Sequence, residues 1–258
     1  MDYEGFKQEI LKMSDIDLSL YKEKQMKRRI DSLIRKNGYD RYDDYVHALQ
    51  QDRELYNEFI NYLTINVSEF YRNPDQWEVL RDQIIPMLLR RSPMPRVWSS
   101  ACSTGDEPYT LAMVLSEHMP LNRIHILASD IDAEALKKAK AGVYSAKSLE
   151  KLPERYIREF FIKDGNSYHV RDELKRCVEF KRINLLRDPY PNECDLIVCR
   201  NVLIYFTEEA KSQIYVKFNK ALKDKGVLFI GSTEQIIMSA RYKLTPVKTF
   251  FYIKDGDI

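Results

Sequence analysis

From Arg96 onward the chain alternates short apolar runs with helix-like stretches, and this rhythm leaves few folds open. The runs at 97–99, 125–129, 195–199, 227–230 and 250–253 read as strands. Asp195-Leu196-Ile197-Val198-Cys199 is apolar without alternation, as a strand covered on both faces should be. Helices are expected from Pro108 through Leu115, from Asp132 to a stop at Gly142, and from Thr207 to a stop at Gly226. Pro108 suits a first helical position, where no amide donor is needed. Lys220, Lys223 and Lys225 suit the negative end of the last helix. Repeated β–α–β order predicts an α/β fold with a doubly wound, mostly parallel sheet. Residues 144–183 break the rhythm with two strand-like pieces, Tyr168-His169-Val170 and Val178-Glu179-Phe180, and predict a small β insertion.

The first 90 or so residues have another texture. Met26, Ile30, Leu33 and Ile34 recur at helical spacing, and Gly38 follows as a stop. Tyr39, Tyr42, Tyr45, Val46 and Leu49 form a second stripe, and Leu55, Phe59, Ile60 and Leu63 a third. Trp77, Leu80, Ile84 and Leu88 form a fourth. The expected organisation is an all-α domain over 1–75, a linker helix over 76–95 and a sheet domain over 96–258, with the β insertion at about 144–183. Lys and Arg number 41 against 39 Asp and Glu, a net +2 too balanced for a chain built chiefly to bind nucleic acid. No apolar run approaches the roughly 20 residues of a membrane span, and the acidic start lacks a signal-peptide pattern. The four cysteines hold no C-x-x-C pair and the four histidines are scattered, so no metal site or disulfide framework is expected. A cytoplasmic protein with reduced thiols follows as the expectation.

The loop Ala101-Cys102-Ser103-Thr104-Gly105-Asp106-Glu107 joins the first strand to its helix, where open α/β sheets place their ligand crevice. It has one glycine rather than G-x-G-x-x-G, and two acids where a diphosphate would sit. The ligand head is therefore expected to be neutral or cationic. Asp130, 25 residues beyond Gly105, ends the next strand, where an acid can accept both hydroxyls of a ribose. Either acid alone reads equally well as a helix N-terminal charge stabilising by about 0.3–1 kcal/mol. Both at this spacing describe a slot for a nucleoside bearing positive charge, and S-adenosylmethionine has that description. Arg200-Asn201 follows the covered strand and belongs at the same edge, and Tyr205 shares a face with Asn201 if the segment turns helically. Asn66-Val67-Ser68-Glu69-Phe70-Tyr71-Arg72 mixes polar and aromatic side chains at the close of the helical region; alone, it reads equally as a turn capped by Ser68.

Together these stretches resemble the chemotaxis receptor glutamate O-methyltransferase family. The likeness runs through Thr64 to Arg72, Trp98 to Tyr109, Ala128 to Asp132, Asn184-Leu185-Leu186 and Cys199 to Phe206, in order, over essentially the whole chain. Asp106 stands where the family often has Glu, and Ser68 where Thr also occurs. The resemblance implies an N-terminal all-α domain, a class I S-adenosylmethionine-dependent methyltransferase domain and a small β-subdomain insertion. It implies cofactor contacts from Asn66, Ser68, Arg72, Glu107, Asp130, Asn184, Leu185, Arg200 and Asn201. It places Arg72, Asp130 and Tyr205 around the reacting centre.

The implied activity is methyl transfer from S-adenosylmethionine to glutamate carboxylates of chemotaxis receptors, leaving S-adenosylhomocysteine and setting receptor adaptation. The implied partner is the cytoplasmic helical bundle of such receptors, met by a monomer without nucleic acid or membrane insertion. Residues 22–36 carry seven basic side chains against two acidic ones, and this basic face is the expected docking surface for an acidic receptor. The alternatives are a non-catalytic signalling module that binds the cofactor or its product, and an RNA or small-molecule methyltransferase on the same fold.

Overall fold

The computed structural model describes residues 1–258, which form two compact units: Met1–Asn66 with Val202–Gln213, and Val67–Asn201 with Ile214–Ile258. In the first unit, helices Tyr3–Ser14, Glu23–Lys36, Tyr42–Gln51 and Arg53–Thr64 bury one stripe each. Phe6, Ile10, Ile30, Tyr45 and Phe59 are completely enclosed. The Phe59 ring meets Phe6 and Tyr45 edge-on at 6.1 and 5.8 Å, a favoured aromatic geometry. Asp52 caps the fourth helix by accepting from the amides of Glu54 and Leu55. Tyr39 lies outside the helix that its spacing suggested, because Asn37 and a left-handed Gly38 have already ended the preceding one; its ring still packs on Tyr45 at 5.4 Å. The segment from Val202 joins this unit through an antiparallel bridge between Tyr21 and Phe206 and a bond from the Thr207 amide to the Leu20 carbonyl.

The second unit is built on ten strands: β1 (Val97–Ser99), β2 (Ile126–Asp130), β3 (Val143–Ser145), β4 (Phe161–Asp164), β5 (Ser167–Val170), β6 (Val178–Arg182), β7 (Cys194–Cys199), β8 (Leu222–Ile230), β9 (Leu244–Lys248) and β10 (Phe251–Lys254). Seven form one sheet in the order β6-β2-β1-β7-β8-β10-β9. All neighbouring pairs from β6 to β8 are parallel, and β10 runs antiparallel to both its neighbours. The fold is thus the expected mostly parallel α/β sheet, with its order reversing at β1 and the ligand edge at the strands' carboxyl ends. β7 is buried at every residue. β3, β5 and β4 make a separate antiparallel sheet.

Several local expectations are corrected. Val178-Glu179-Phe180 does not belong to the insertion; it lies in β6 and pairs with β2 at the sheet edge. Pro108 is the third helical residue of Asp106–Ser116, not the first, because Gly105 at φ 94° caps the helix. The last helix runs Glu208–Ala221, capped by the Thr207 hydroxyl as expected, but does not reach Gly226. β8 begins at Leu222, and Lys223 turns to Asp195 at 3.2 Å rather than to a helix end. Gly226 lies inside that strand, where a Cβ would come within 2.8 Å of the Cys194 carbonyl. The fourth apolar stripe is one helical path, Pro74–Val79 and Ile85–Leu89, interrupted by a π turn at Leu80–Ile84. Pro86 offers no amide and crowds the carbonyl four residues back, so the ladder widens there.

Candidate functional site

The first βα loop is tightly fixed. The Ser100 amide donates to the Val198 carbonyl and the Cys102 amide to the Ser129 carbonyl, tying the loop to β7 and β2. Ser103 and Gly105 are both left-handed. A Cβ on Gly105 would lie 2.9 Å from the Ala139 methyl and the Tyr144 hydroxyl, so only glycine fits. This turn aims the first helical residues at the strand ends. Asp106 is buried; it accepts from the Thr104 hydroxyl at 2.6 Å and from the Ser68 hydroxyl. Burial pushes its carboxyl above the ordinary range, and the two hydroxyls offset part of that.

Glu107 follows, with its side chain only 12% exposed. One oxygen accepts from the Ser99 hydroxyl at 2.8 Å, and the other lies 3.7 Å from an Arg200 nitrogen. Burial pushes its pKa up to about 7, outweighing the attraction of Arg200; Glu234 adds repulsion. Asp130, at the end of β2, is 8% exposed. Its oxygens accept from the Ser103 amide at 2.7 Å and the Asp132 amide at 3.0 Å, while burial still raises its pKa to about 6. The two acids read from the sequence therefore stand largely shielded from solvent, Glu107 in the helix turn after β1 and Asp130 at the end of β2.

Arg200 is buried at the end of β7, its guanidinium 5.2 Å from the Trp77 ring and 4.9 Å from that of Phe229. Burial lowers its pKa, with Glu107 acting in the opposite sense. Asn201 is left-handed, at φ 61°, and its amide donates to Glu234 at 2.6 Å. The Gly231 amide donates to the same Glu234 oxygen at 2.9 Å. Glu234 was missed in the sequence, although it stands just past the end of β8, the position that singled out Glu107 and Asp130 after their own strands.

Arg72 is half-buried, with Glu69 at 3.8 Å and the Val67 carbonyl at 3.4 Å. Asn184 is nearly buried; its side chain accepts from the Leu186 amide at 2.9 Å, and its own amide donates to Asp188 at 2.7 Å. The buried Leu185 has its carbonyl taken by the Tyr190 hydroxyl and the Lys217 ammonium. Asn66 and Tyr205 belong to the first unit. Asn66 donates to the Thr64 hydroxyl at 3.0 Å, and Tyr205 ends a 3-10 turn, Leu203–Tyr205, with its carbonyl accepting from the Lys22 amide. The left-handed Asn201 breaks any continuous helix to Tyr205, so the shared helical face expected of that pair does not form.

The donor set fits S-adenosylmethionine. Glu107, Asp130 and Glu234 exceed Arg200 in charge, leaving a surplus that a cationic head would neutralise. The Asp130 oxygens accept from the Ser103 and Asp132 amides, with the Ile131 amide a further donor; each carboxylate oxygen has two lone pairs, so capacity remains for a ribose hydroxyl.

Known proteins agree with this chemistry. Residues 66–251 match the family model "CheR methyltransferase, SAM binding domain", and residues 1–64 match "CheR methyltransferase, all-alpha domain". The chemotaxis protein methyltransferase of Listeria innocua is 46% identical over 98% of this chain and 97% of its own length. That of Listeria monocytogenes is 44% identical over the same shares. That of Escherichia coli is 33% identical over 95% of this chain and 88% of its own. The chain belongs to the CheR methyltransferase family, and its larger domain is the family's S-adenosylmethionine-binding domain.

Proposed function

We propose that this S-adenosylmethionine-dependent methyltransferase esterifies glutamate side chains of chemotaxis receptors in the cytoplasm. The observation that carries the reading is the pair of carboxylates withdrawn from solvent, the nearly buried Glu107 in the first turn of the helix after β1 and the buried Asp130 at the end of β2. They suit a ligand that combines an ammonium with a ribose, and they repel a diphosphate. When bound, that ligand supplies a methyl group on a positively charged sulfur.

A glutamate side chain, with a reference pKa near 4.3, is already a nucleophile at neutral pH. The protein therefore needs no general base, and its task is alignment, which can contribute roughly 7–11 kcal/mol. Arg72 is assigned to the substrate carboxylate. Its contacts to Glu69 and Val67 are long, and a five-donor guanidinium can take a carboxylate besides. A moderate hold is what catalysis requires, since tight ion pairing would stabilise the ground state most. Ser68, Asn184, Leu185, Arg200 and Asn201 are assigned to cofactor binding, with Asn66 and Tyr205 contributed by the first unit's sequence.

The receptor's acidic helices are assigned to the helix Glu23–Lys36. Lys24, Arg28 and Arg35 are exposed and share an open hollow of about 560 Å3 with Lys27, Asp31 and Ser32. Arg29 is not part of that face as the sequence suggested; it is half-buried, donating to the Tyr62 carbonyl at 2.7 Å.

Incubation with methyl-labelled cofactor and receptor membranes tests the reading. Base-labile label on receptor glutamates is expected. Label on RNA or a small molecule, or cofactor binding without any transfer, would replace it by one of the alternatives.

A further inference from the structure

The hydrogen bonds of Arg200 do not go where its charge would send them. Its side chain is 2% exposed, yet the Glu107 carboxylate is 3.7 Å from Nη1, beyond hydrogen-bond reach. The two hydrogens of Nη2 are shared instead among the Arg72 carbonyl at 2.7 Å, Gln76 Oε1 at 3.0 Å and Asn73 Oδ1 at 3.2 Å. Nε has no hydrogen-bond partner. The Arg72 carbonyl receives a second donor, Trp77 Nε1, at 3.0 Å. On either side of Arg72, Tyr71 and Asn73 are left-handed, at φ 53° and 59°. Such residues cost on the order of 1–3 kcal/mol each and persist only where their surroundings fix them. Gln76 is buried in the first turns of the helix Pro74–Val79 and contributes an uncharged acceptor to the guanidinium.

We propose that Gln76 is a positioning residue: it keeps the Arg200 guanidinium on the Arg72 carbonyl and off Glu107. The consequence is double. Arg72 is fixed at its backbone, and the Glu107 oxygen that faces Arg200 at 3.7 Å is left without a hydrogen bond from it, open to a cationic ligand. Without the amide oxygen, rotation of the guanidinium would bring its unused Nε and Nη1 onto Glu107. The inference rests on the roles assigned above to Arg72 and Glu107.

The test is Gln76→Leu in the full chain, read by kcat on receptors and by calorimetry with S-adenosylhomocysteine. A fall of about tenfold in kcat and about fivefold in product affinity is expected, the scale of one charged hydrogen bond. In an Arg72→Ala background the same change should cost kcat nothing further, because the effect travels through Arg72. Gln76→Glu keeps an acceptor and should restore kcat to within about twofold. A purely structural amide would instead lower Tm and leave the folded enzyme's kcat and affinity intact, which overturns the proposal. So would independent, multiplying effects of Gln76→Leu and Arg72→Ala. Should Gln76→Leu fail to fold, Gln76→Met, which keeps the side chain's length and removes the acceptor oxygen, decides by the same cycle. Absence of methyl transfer by the unmodified enzyme would count against the proposed function, whereas unchanged product affinity in both variants would count against the clamp alone.

Discussion

The sheet edge of the second unit and the helix Glu23–Lys36 of the first carry the same kinds of charged side chain in opposite circumstances. On the helix, Lys27 bonds Asp31 at 3.2 Å and Lys36 bonds Glu58 at 2.9 Å, with both lysines more than 40% exposed. Such pairs are worth about 0–1 kcal/mol and are screened by salt. At the sheet edge, Glu107 and Arg200 are 12% and 2% exposed, and solvent cannot settle their charges. There each charged group is held by a neighbour: Ser99 on Glu107, Ser103 on Asp130, Gln76 on Arg200. Exposure thus separates charges that steer a partner over distance from charges that choose a ligand by contact.

The sharpest test of that division is pH. The folded pKa of Glu107, about 7, is raised above its ordinary 4.5. Below pH 4.5 the carboxyl is protonated in both states and its contribution to stability is fully present. As pH rises towards 7 the unfolded chain ionises first, and that contribution is lost, by about 3 kcal/mol in all. Chemical unfolding from pH 4.5 to 8 should show this decline in the ligand-free protein, and Glu107→Gln should lack it. An identical pH dependence in the two proteins would place Glu107 in water and end the contrast.

Ligand affinity gives the next largest effect. Glu107→Ala should weaken S-adenosylhomocysteine on the order of 100-fold by calorimetry at pH 8, the scale of a charge-assisted contact. In the unmodified protein, affinity should rise with pH through about 7 and level off above it as the carboxyl loses its proton. The removal of an exposed acid such as Glu54 should leave the affinity alone.

The same division governs what could be read from the chain beforehand. Covered strands announce themselves by unbroken apolar runs, so the strand of Leu196 and Val198 and the acids beyond its neighbours were legible. So were the stripes of Ile30 and Phe59, because helical burial repeats every three or four residues. The Val178 strand was not, because an edge strand flanked by polar residues looks the same in an insertion as in the main sheet. Gly226 misled because a glycine required for close approach to the Cys194 carbonyl has the signature of a helix stop. Gln76 could not be weighed at all, because its significance lies in a partner 124 residues away, Arg200, which no local pattern connects. Glu234 offered only its place past a strand end, and its partner Asn201 lies 33 residues away.

Tyr205 tests a case between the extremes, being half-exposed in its unit. Tyr205→Phe keeps the ring and removes the hydroxyl. A fall in kcat of about tenfold with product affinity retained would fit an oxygen that acts only in the transition state. Undiminished transfer would remove Tyr205 from the chemistry.

The smallest effect is expected from the exposed helix, and its form matters more than its size. Arg28 is exposed and lines the basic hollow, so Arg28→Glu perturbs the field around the helix without touching a core. If the face steers acidic receptors, association should slow by about threefold at low salt, and the difference should fade as ionic strength shortens the roughly 10 Å screening length. The dissociation rate and S-adenosylhomocysteine affinity should not move. A loss that survives at high salt would mean that Arg28 makes a desolvated contact, and the helix would then resemble the sheet edge. No loss at any salt would shift docking elsewhere, since a steering charge reversed in sign must at least alter the rate of encounter.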